Sequence, residues 1–195
     1  MINFANPKTE YLKNKKKIDI AITKTLISND YILGKSVKKF EKNFSKYNKC
    51  KYSLGVSSGT EAIVLALKSL GVKQGDEIIT TSHTAYATVA AITEVGANPV
   101  LIDINHTNFN MKYDEIEKNI TKKTKAVILV HLYGLVANII KIKEICKKNK
   151  VFLIEDCAQA HGAEFKKKKV GTFGDFGTFS FYPTKNLATF GDAGS

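Results

Sequence analysis

The sequence predicts an α/β fold, a mostly parallel sheet with helices on both faces. Three observations carry that expectation: strand and helix patterns alternate after residue 50, the strands are continuous apolar runs such as KAVILVH, and glycines such as Gly71 and Gly96 punctuate the helices. Continuous apolar strands belong to sheets covered on both faces, and intervening helices are how parallel strands are joined. The chain begins with a Lys-rich amphipathic stretch. Val37, Phe40, Phe44 and Tyr47 then recur at helical spacing, with Ser36 as the expected N-cap. A strand is expected near 52–57, then the turn Ser58-Gly59-Thr60 and a helix near 60–70 ending at Gly71. A strand near 77–81 runs into a helix near 84–94, capped by Ser82 or Thr84 and stopped at Gly96. Strands near 99–103, 125–131 and 151–155 alternate with helices near 113–119 and 139–149, and a last strand is expected near 177–182. This divides the chain into an N-terminal helical segment, 1–50, and a large domain, 51–195, with no linker or repeat inside it. Ligands of such sheets sit beyond the carboxyl ends of the strands.

At 195 residues with 44% apolar composition the chain is long enough for a sizeable core, which excludes general disorder. No run approaches the roughly 18 consecutive apolar residues of a membrane helix, and the N-terminus lacks the apolar segment of a signal peptide. A cytoplasmic protein without membrane partners is expected. Cys50, Cys146 and Cys157 are too few and too widely spaced for a disulfide framework or a metal knuckle, so ordinary reduced thiols and no metal are expected. The formal charge is +12, yet all 30 basic residues are Lys. Base-reading proteins lean on the planar fork of Arg, so this charge points to a solvated Lys surface and not to nucleic acid.

The chemistry-bearing residues fall at strand ends. Ser58-Gly59-Thr60 opens a helix, whose first N–H groups and partial positive charge suit a phosphate. Gly59 permits close approach there, and Thr60 adds a hydroxyl. Taken alone, Ser58 reads more simply as an N-cap. GTFGDFG is no dinucleotide fingerprint, because its glycines lie three apart and no helix pattern comes after it. In VFLIEDCAQAHG an apolar strand ends in Glu155-Asp156. A carboxylate at Asp156 could keep a pyridine nitrogen protonated, making the ring an electron sink, or could simply cap the segment after the strand. Gln159 could donate to the same ligand, while His161 reads as a hydrogen-bonding core or loop histidine. Lys185, in YPTKNL after the strand DFGTFSFY, sits where aromatic neighbours could desolvate an amine for Schiff-base chemistry, with Ser180 supplying a further hydroxyl. Alone it would be one surface lysine among many; its weight comes from convergence with the other motifs. Together they describe a site for pyridoxal 5'-phosphate. His83 and Tyr86, at the entry to a helix, are candidates to stack on its ring.

In order along nearly the whole chain, YILGKSVKKFEKNFSKY, SSGTEA, GDEIITTSHTAYATVAA, GANPVLIDI, VILVHLYG, IEDCAQAHGA and FSFYPTKNL resemble the DegT/DnrJ/EryC1/StrS family of pyridoxal-phosphate-dependent sugar aminotransferases. The resemblance implies the large domain of a fold type I transferase, lacking the small C-terminal domain. It implies Lys185 as the Schiff-base lysine, Asp156 as partner of the pyridine nitrogen, Gln159 near the ring, and Gly59, Thr60 and Ser180 as phosphate contacts. SHTAYATVAA with GDAG is similar to the subgroup that aminates nucleotide-linked 3-keto-6-deoxy sugars, such as a dTDP-3-keto-6-deoxyhexose, with glutamate as donor in a homodimer. Many members carry a bulky aromatic where this chain has Ala85, which makes His83 the first choice for ring stacking. A dehydratase branch has His in place of the lysine; Lys185 argues against that branch. Family members are much longer. In their fold the segment after the lysine forms a strand between the first strand and the lysine-bearing one, so GDAGS is expected to be the start of that strand and the rest of the joining element is expected to be missing. A fragment of a longer product is therefore expected, the alternative to an aminotransferase being a non-catalytic remnant or a half-protein completed by a separate C-terminal part.

Overall fold

The computed structural model describes residues 5–195, and the chain divides into two compact units between Gly55 and Val56. The first unit holds α1 (Pro7–Ile27) and α2 (Lys35–Asn48). Proline at the first position and the Asn6 side chain, accepting from the Thr9 N–H at 3.3 Å, start α1. The expected cap of α2 is corrected. Gly34 occupies the cap position and Ser36 lies inside the first turn, while the Asp30 carboxylate accepts the Lys35 N–H at 2.9 Å. A carboxylate reaching from five residues back does the work expected of Ser36, and its charge suits the helix N-terminus. Phe40 and Phe44 stack with centroids 5.4 Å apart, and Phe44 is buried.

The second unit is built on a five-stranded parallel sheet made of β1 (Glu77–Thr81), β2 (Asn98–Ile102), β3 (Thr124–Val130), β4 (Phe152–Asp156) and β7 (Phe176–Thr178), in the order β2-β1-β3-β4-β7. A two-stranded hairpin, β5 (Glu164–Phe165) and β6 (Lys168–Lys169), precedes the last strand. Four helices cover the sheet: α3 (Gly59–Ser69), α4 (Tyr86–Glu94), α5 (Tyr113–Asn119) and α6 (Ile139–Asn149). Strand parity sorts the core. Ile78, Ala126, Ile128 and Ile154 pack with Ile63, Leu67, Ala91 and Ile92 of α3 and α4. Their neighbours Ile79, Val127, Leu129 and Leu153 pack on the other face with Ile116, Ile139 and Ile142 of α5 and α6. Successive side chains of a strand point to opposite faces, so one apolar run feeds both cores.

Two expected strands are corrected. Residues 52–57 form no regular strand; Val56 alone makes an isolated antiparallel bridge, to Gly194. The last strand ends at Thr178, after which Ser180 bridges the same Gly194. The joining element is thus begun and not absent: Val56 and Gly194 exchange two backbone bonds of 2.9 Å, and Phe179 and Ser195 exchange bonds of 2.8 and 3.0 Å. A ladder only a few residues deep gives isolated bridges where the apolar pattern alone predicts strands. The apolar pattern does not predict the hairpin. Lys166 and Lys167, inside a run that reads as a solvated turn, adopt φ of 49° and 64°, the left-handed pair that closes a two-residue hairpin.

Candidate active site

The N-terminus of α3 and Ser180 are built against each other. Ser58 is the N-cap, its side chain accepting from the Glu61 N–H at 3.0 Å. The N–H groups of Gly59 and Thr60, first in the helix, have no acceptor within it. A Cβ added at Gly59 would lie 2.6 Å from the Ser180 Cβ and 3.2 Å from its Oγ. Glycine is therefore required here for Ser180 to stand at the helix end, a reason beyond the expected approach of an anion. Gly194 is equally constrained, because a Cβ there would collide with the Ser58 carbonyl oxygen. The result is a concave end with two N–H donors, a positive helix pole and a hydroxyl.

At the carboxyl end of β4, parity gives two adjacent acids different surroundings. Glu155, fully buried, follows Leu153 onto the α5–α6 face. Its carboxylate accepts from the N–H groups of Gly171 (2.8 Å), Phe173 (2.6 Å) and Gly174 (2.8 Å). His131 Nε2 lies 3.2 Å away, and its Nδ1 accepts from the Ala137 N–H at 3.4 Å, which leaves Nε2 to donate to Glu155. Donor atoms of His131, Glu155 and Cys157 lie within 4.8 Å of one another, but the carboxylate is already saturated by hydrogens, so the cluster is a clamp on the 171–174 turn. Asp156 follows Ile154 onto the α3–α4 face. Its Oδ2 accepts from Thr88 Oγ1 at 2.9 Å and its Oδ1 from the Ala158 N–H at 3.1 Å. Burial pushes the Asp156 carboxyl above the ordinary range, opposed by these two hydrogen bonds and by the charge of Lys185.

Gln159 and His83 are joined through Tyr133, a residue of the VILVHLYG segment to which the sequence reading gives no role. Gln159 Oε1 accepts from the Tyr133 N–H at 3.0 Å, and the Tyr133 hydroxyl lies 3.1 Å from His83 Nε2. Tyr133 adopts φ 59°, a left-handed conformation at the carboxyl end of β3 that turns the ring toward His83. Tyr86 is 85% exposed. The expected cap of α4 is corrected: Ala85 holds that position without a side-chain bond, and Thr84 Oγ1 lies 2.8 Å from Thr88 Oγ1.

Lys185 sits in a turn closed by its N–H to the Tyr182 carbonyl, 2.8 Å, and is half-buried. Its charge acts on Asp156 and also holds His161 below the usual imidazole range, where burial is the larger cause. His161 lies between the rings of Phe179 and Phe181, at 5.6 and 5.5 Å, and neither ring nitrogen finds a well-formed hydrogen bond among the described residues. The Ser180 backbone still acts on the ring in the sense of a hydrogen bond, and the two flanking rings add aromatic packing to the expected hydrogen-bonding role. The thiols of Cys146 and Cys157 are buried, and burial pushes the first up to about 12 and the second well above the usual thiol range, so neither is a nucleophile.

The structure thus gathers Gly59, Thr60 and Ser180 at one point, sets Lys185 within electrostatic reach of Asp156, and links Gln159 to His83. The sequence profile of the DegT/DnrJ/EryC1/StrS aminotransferases matches residues 13–195. The chain belongs to this family. Among relatives of the family, a dTDP-3-amino-3,4,6-trideoxy-alpha-D-glucose transaminase of Micromonospora megalomicea subsp. nigra is 42% identical, over 95% of this chain and 50% of its own length. A GDP-perosamine synthase of Escherichia coli O157:H7 is also 42% identical, over 91% of this chain and 48% of its own. A crystal structure of S. venezuelae DesV in complex with a ketimine intermediate superposes with a TM-score of 0.97 at 37% identity, covering 99% of this chain and 52% of that one. The chain spans about half the length of the family members it matches. No helix among the described residues is long and apolar enough to cross a membrane.

Proposed function

We propose that this chain carries the cofactor site of a pyridoxal-phosphate-dependent aminotransferase that moves an amino group from glutamate to a nucleotide-linked keto-deoxy sugar, of the dTDP-3-keto-6-deoxyhexose kind. The observation that carries this reading is the convergence of the Gly59–Ser180 cradle with Asp156 and Lys185 at the carboxyl ends of the sheet. Family membership and sugar-transaminase relatives support it.

The residues fit the group. The Gly59 and Thr60 N–H groups and the Ser180 hydroxyl would hold a phosphate, and a missing Cβ at Gly59 leaves room for Ser180 among them. Asp156 retains unused lone pairs after accepting two hydrogens, and a cationic ring nitrogen would offset its burial. When bound, pyridoxal phosphate supplies an electron sink and a carrier for the amino group. Asp156 would hold the proton at the ring nitrogen. Lys185 Nζ would anchor the cofactor, and its amine would serve to move a proton at the carbon that gains or loses the amino group. His83 would cover the ring, and Gln159 would hold its edge. The chain has no Arg, so a donor carboxylate must be met by backbone, by Lys or by the remainder of the whole protein. Homodimerisation and a cytoplasmic location belong to the same reading.

The test is reductive trapping of added pyridoxal phosphate with borohydride, followed by peptide mass mapping, with Lys185→Ala alongside. An adduct confined to Lys185 and lost in the variant is expected. Scattered labelling that the substitution leaves unchanged overturns the assignment and favours the remnant or half-protein alternative.

A further inference from the structure

Two threonines of α4 and its entry form a line of hydroxyls ending on Asp156. Thr88 is fully buried, and its Oγ1 lies 2.9 Å from Asp156 Oδ2 and 2.8 Å from Thr84 Oγ1. An ionised carboxylate only accepts, so Thr88 must donate its one proton to Asp156, and its lone pairs are left to accept from Thr84. The Ala158 N–H, 3.1 Å from Oδ1, is a donor that cannot reverse. These two donors favour the charged form of the carboxylate, and a proton on Oδ2 facing Thr88 would require that hydroxyl to turn round and stop donating.

From this geometry we infer that Thr88, braced by Thr84, is a positioning residue that holds Asp156 in its ionised, acceptor form and so sets how strongly the site prefers a cofactor with a basic ring nitrogen. The inference rests on the cofactor reading above. It adds a role for a residue whose hydroxyl meets Asp156 and Thr84. Asp156 needs such support because it is buried on the α3–α4 face among apolar side chains, where the charged form is disfavoured. The other groups acting on it, Lys185 and the His131 imidazole, come from different elements and would be unchanged by a substitution at Thr88.

The experiment compares the dissociation constants of pyridoxal phosphate and of its carbocyclic analogue, in which C–H replaces the ring nitrogen, on the full chain and on Thr88→Val, Thr88→Ser and Thr84→Val. Thermal unfolding is followed on each variant. Wild type is expected to favour pyridoxal phosphate by about tenfold or more, the scale of one hydrogen bond to a charged group. Thr88→Val should cut that ratio by about five- to tenfold, Thr88→Ser should restore it to within about twofold, and Thr84→Val should shift it in the same direction by less. A merely structural threonine would weaken both ligands equally and leave the ratio at its wild-type value, and that result overturns the inference. Should Thr88→Val fail to fold, an unchanged ratio in Thr84→Val overturns it instead. If wild type itself does not distinguish the two ligands, the Asp156 assignment falls, and this inference with it. If wild type binds neither, the cofactor reading falls first.

Discussion

On the α5–α6 face of the sheet Glu155 receives three backbone N–H groups and His131, whereas on the α3–α4 face Asp156, the next residue, receives two hydrogens and stands near a lysine. The chemistry of the two side chains is the same, and the strand that carries them is the same. What differs is saturation. A carboxylate whose lone pairs are filled by its own fold is a structural fastener, and one left with spare capacity beside an amine can take a ligand. Adjacent acids at a strand end are thus sorted by parity before any chemistry is considered.

Breaking the saturated side should have the largest effect. Glu155→Ala leaves three N–H groups of the 171–174 turn and His131 without their acceptor, and a loss of about 3–5 kcal/mol in urea unfolding is expected. A loss below about 1 kcal/mol would show the turn to be held by something else. On the other face, Gly59→Ala puts a methyl 2.6 Å from the Ser180 Cβ. Overpacking of this kind costs about 1–3 kcal/mol, and by displacing Ser180 it should weaken pyridoxal phosphate binding in a fluorescence titration more than it lowers stability. Equal losses would mean the cradle is not the phosphate site.

Cys146 sharpens the contrast through pH. It packs on the α5–α6 face, and burial raises its thiol from 9.0 to about 12. The folded chain keeps the proton longer than the unfolded one, so this stabilisation is complete below 9.0 and is lost as pH rises toward about 12. Cys146→Ala should cost about 1–2 kcal/mol at neutral pH, with the gap to wild type narrowing above pH 9 in denaturant titrations. A constant gap would contradict the buried thiol. The smallest change in stability is expected at Asp156. Its folded carboxyl is raised, so its contribution is present at acid pH and lost as pH rises through that raised value. Asp156→Asn should therefore leave the empty protein within about 1 kcal/mol of wild type at neutral pH, and no less stable, while removing the preference for a basic ring nitrogen. A large destabilisation would make Asp156 a second fastener and erase the distinction between the faces.

Most of the sheet was legible because its signal is local. The strand at Glu77–Thr81 and the helices Tyr113–Asn119 and Ile139–Asn149 fall where apolar spacing puts them. The meeting of the Ser58–Thr60 turn with Ser180 is foreshadowed only by the convergence of motifs, since nothing local at either segment points to the other. What escaped was long-range. Glu155 looks from sequence like a spare acid beside Asp156, and its partners lie in the GTFGDFG run, whose glycine spacing rules out a dinucleotide site and offers no other purpose. One acid too many at a strand end, with a glycine-rich turn later in the chain, was the available signal. Thr88 gave less: it is one apolar-flanked threonine in a helix, and only the tertiary meeting of α4 with β4 shows what its hydroxyl faces. The regular strand expected at 52–57 is reduced, among the described residues, to one bridge from Val56 to Gly194, a long-range pairing that no local pattern shows.

The bridge at Gly194 also orders events in time. The pairings among β1, β2, β3 and β4 close over segments already synthesised by residue 156, so much of the sheet can form while the chain is still emerging from the ribosome. Gly194 threads between Val56 and Ser180, pressed against the Ser58 carbonyl, and joins segments made far apart in time. The cradle therefore cannot close until Gly194 has been made, well after the strands that it serves.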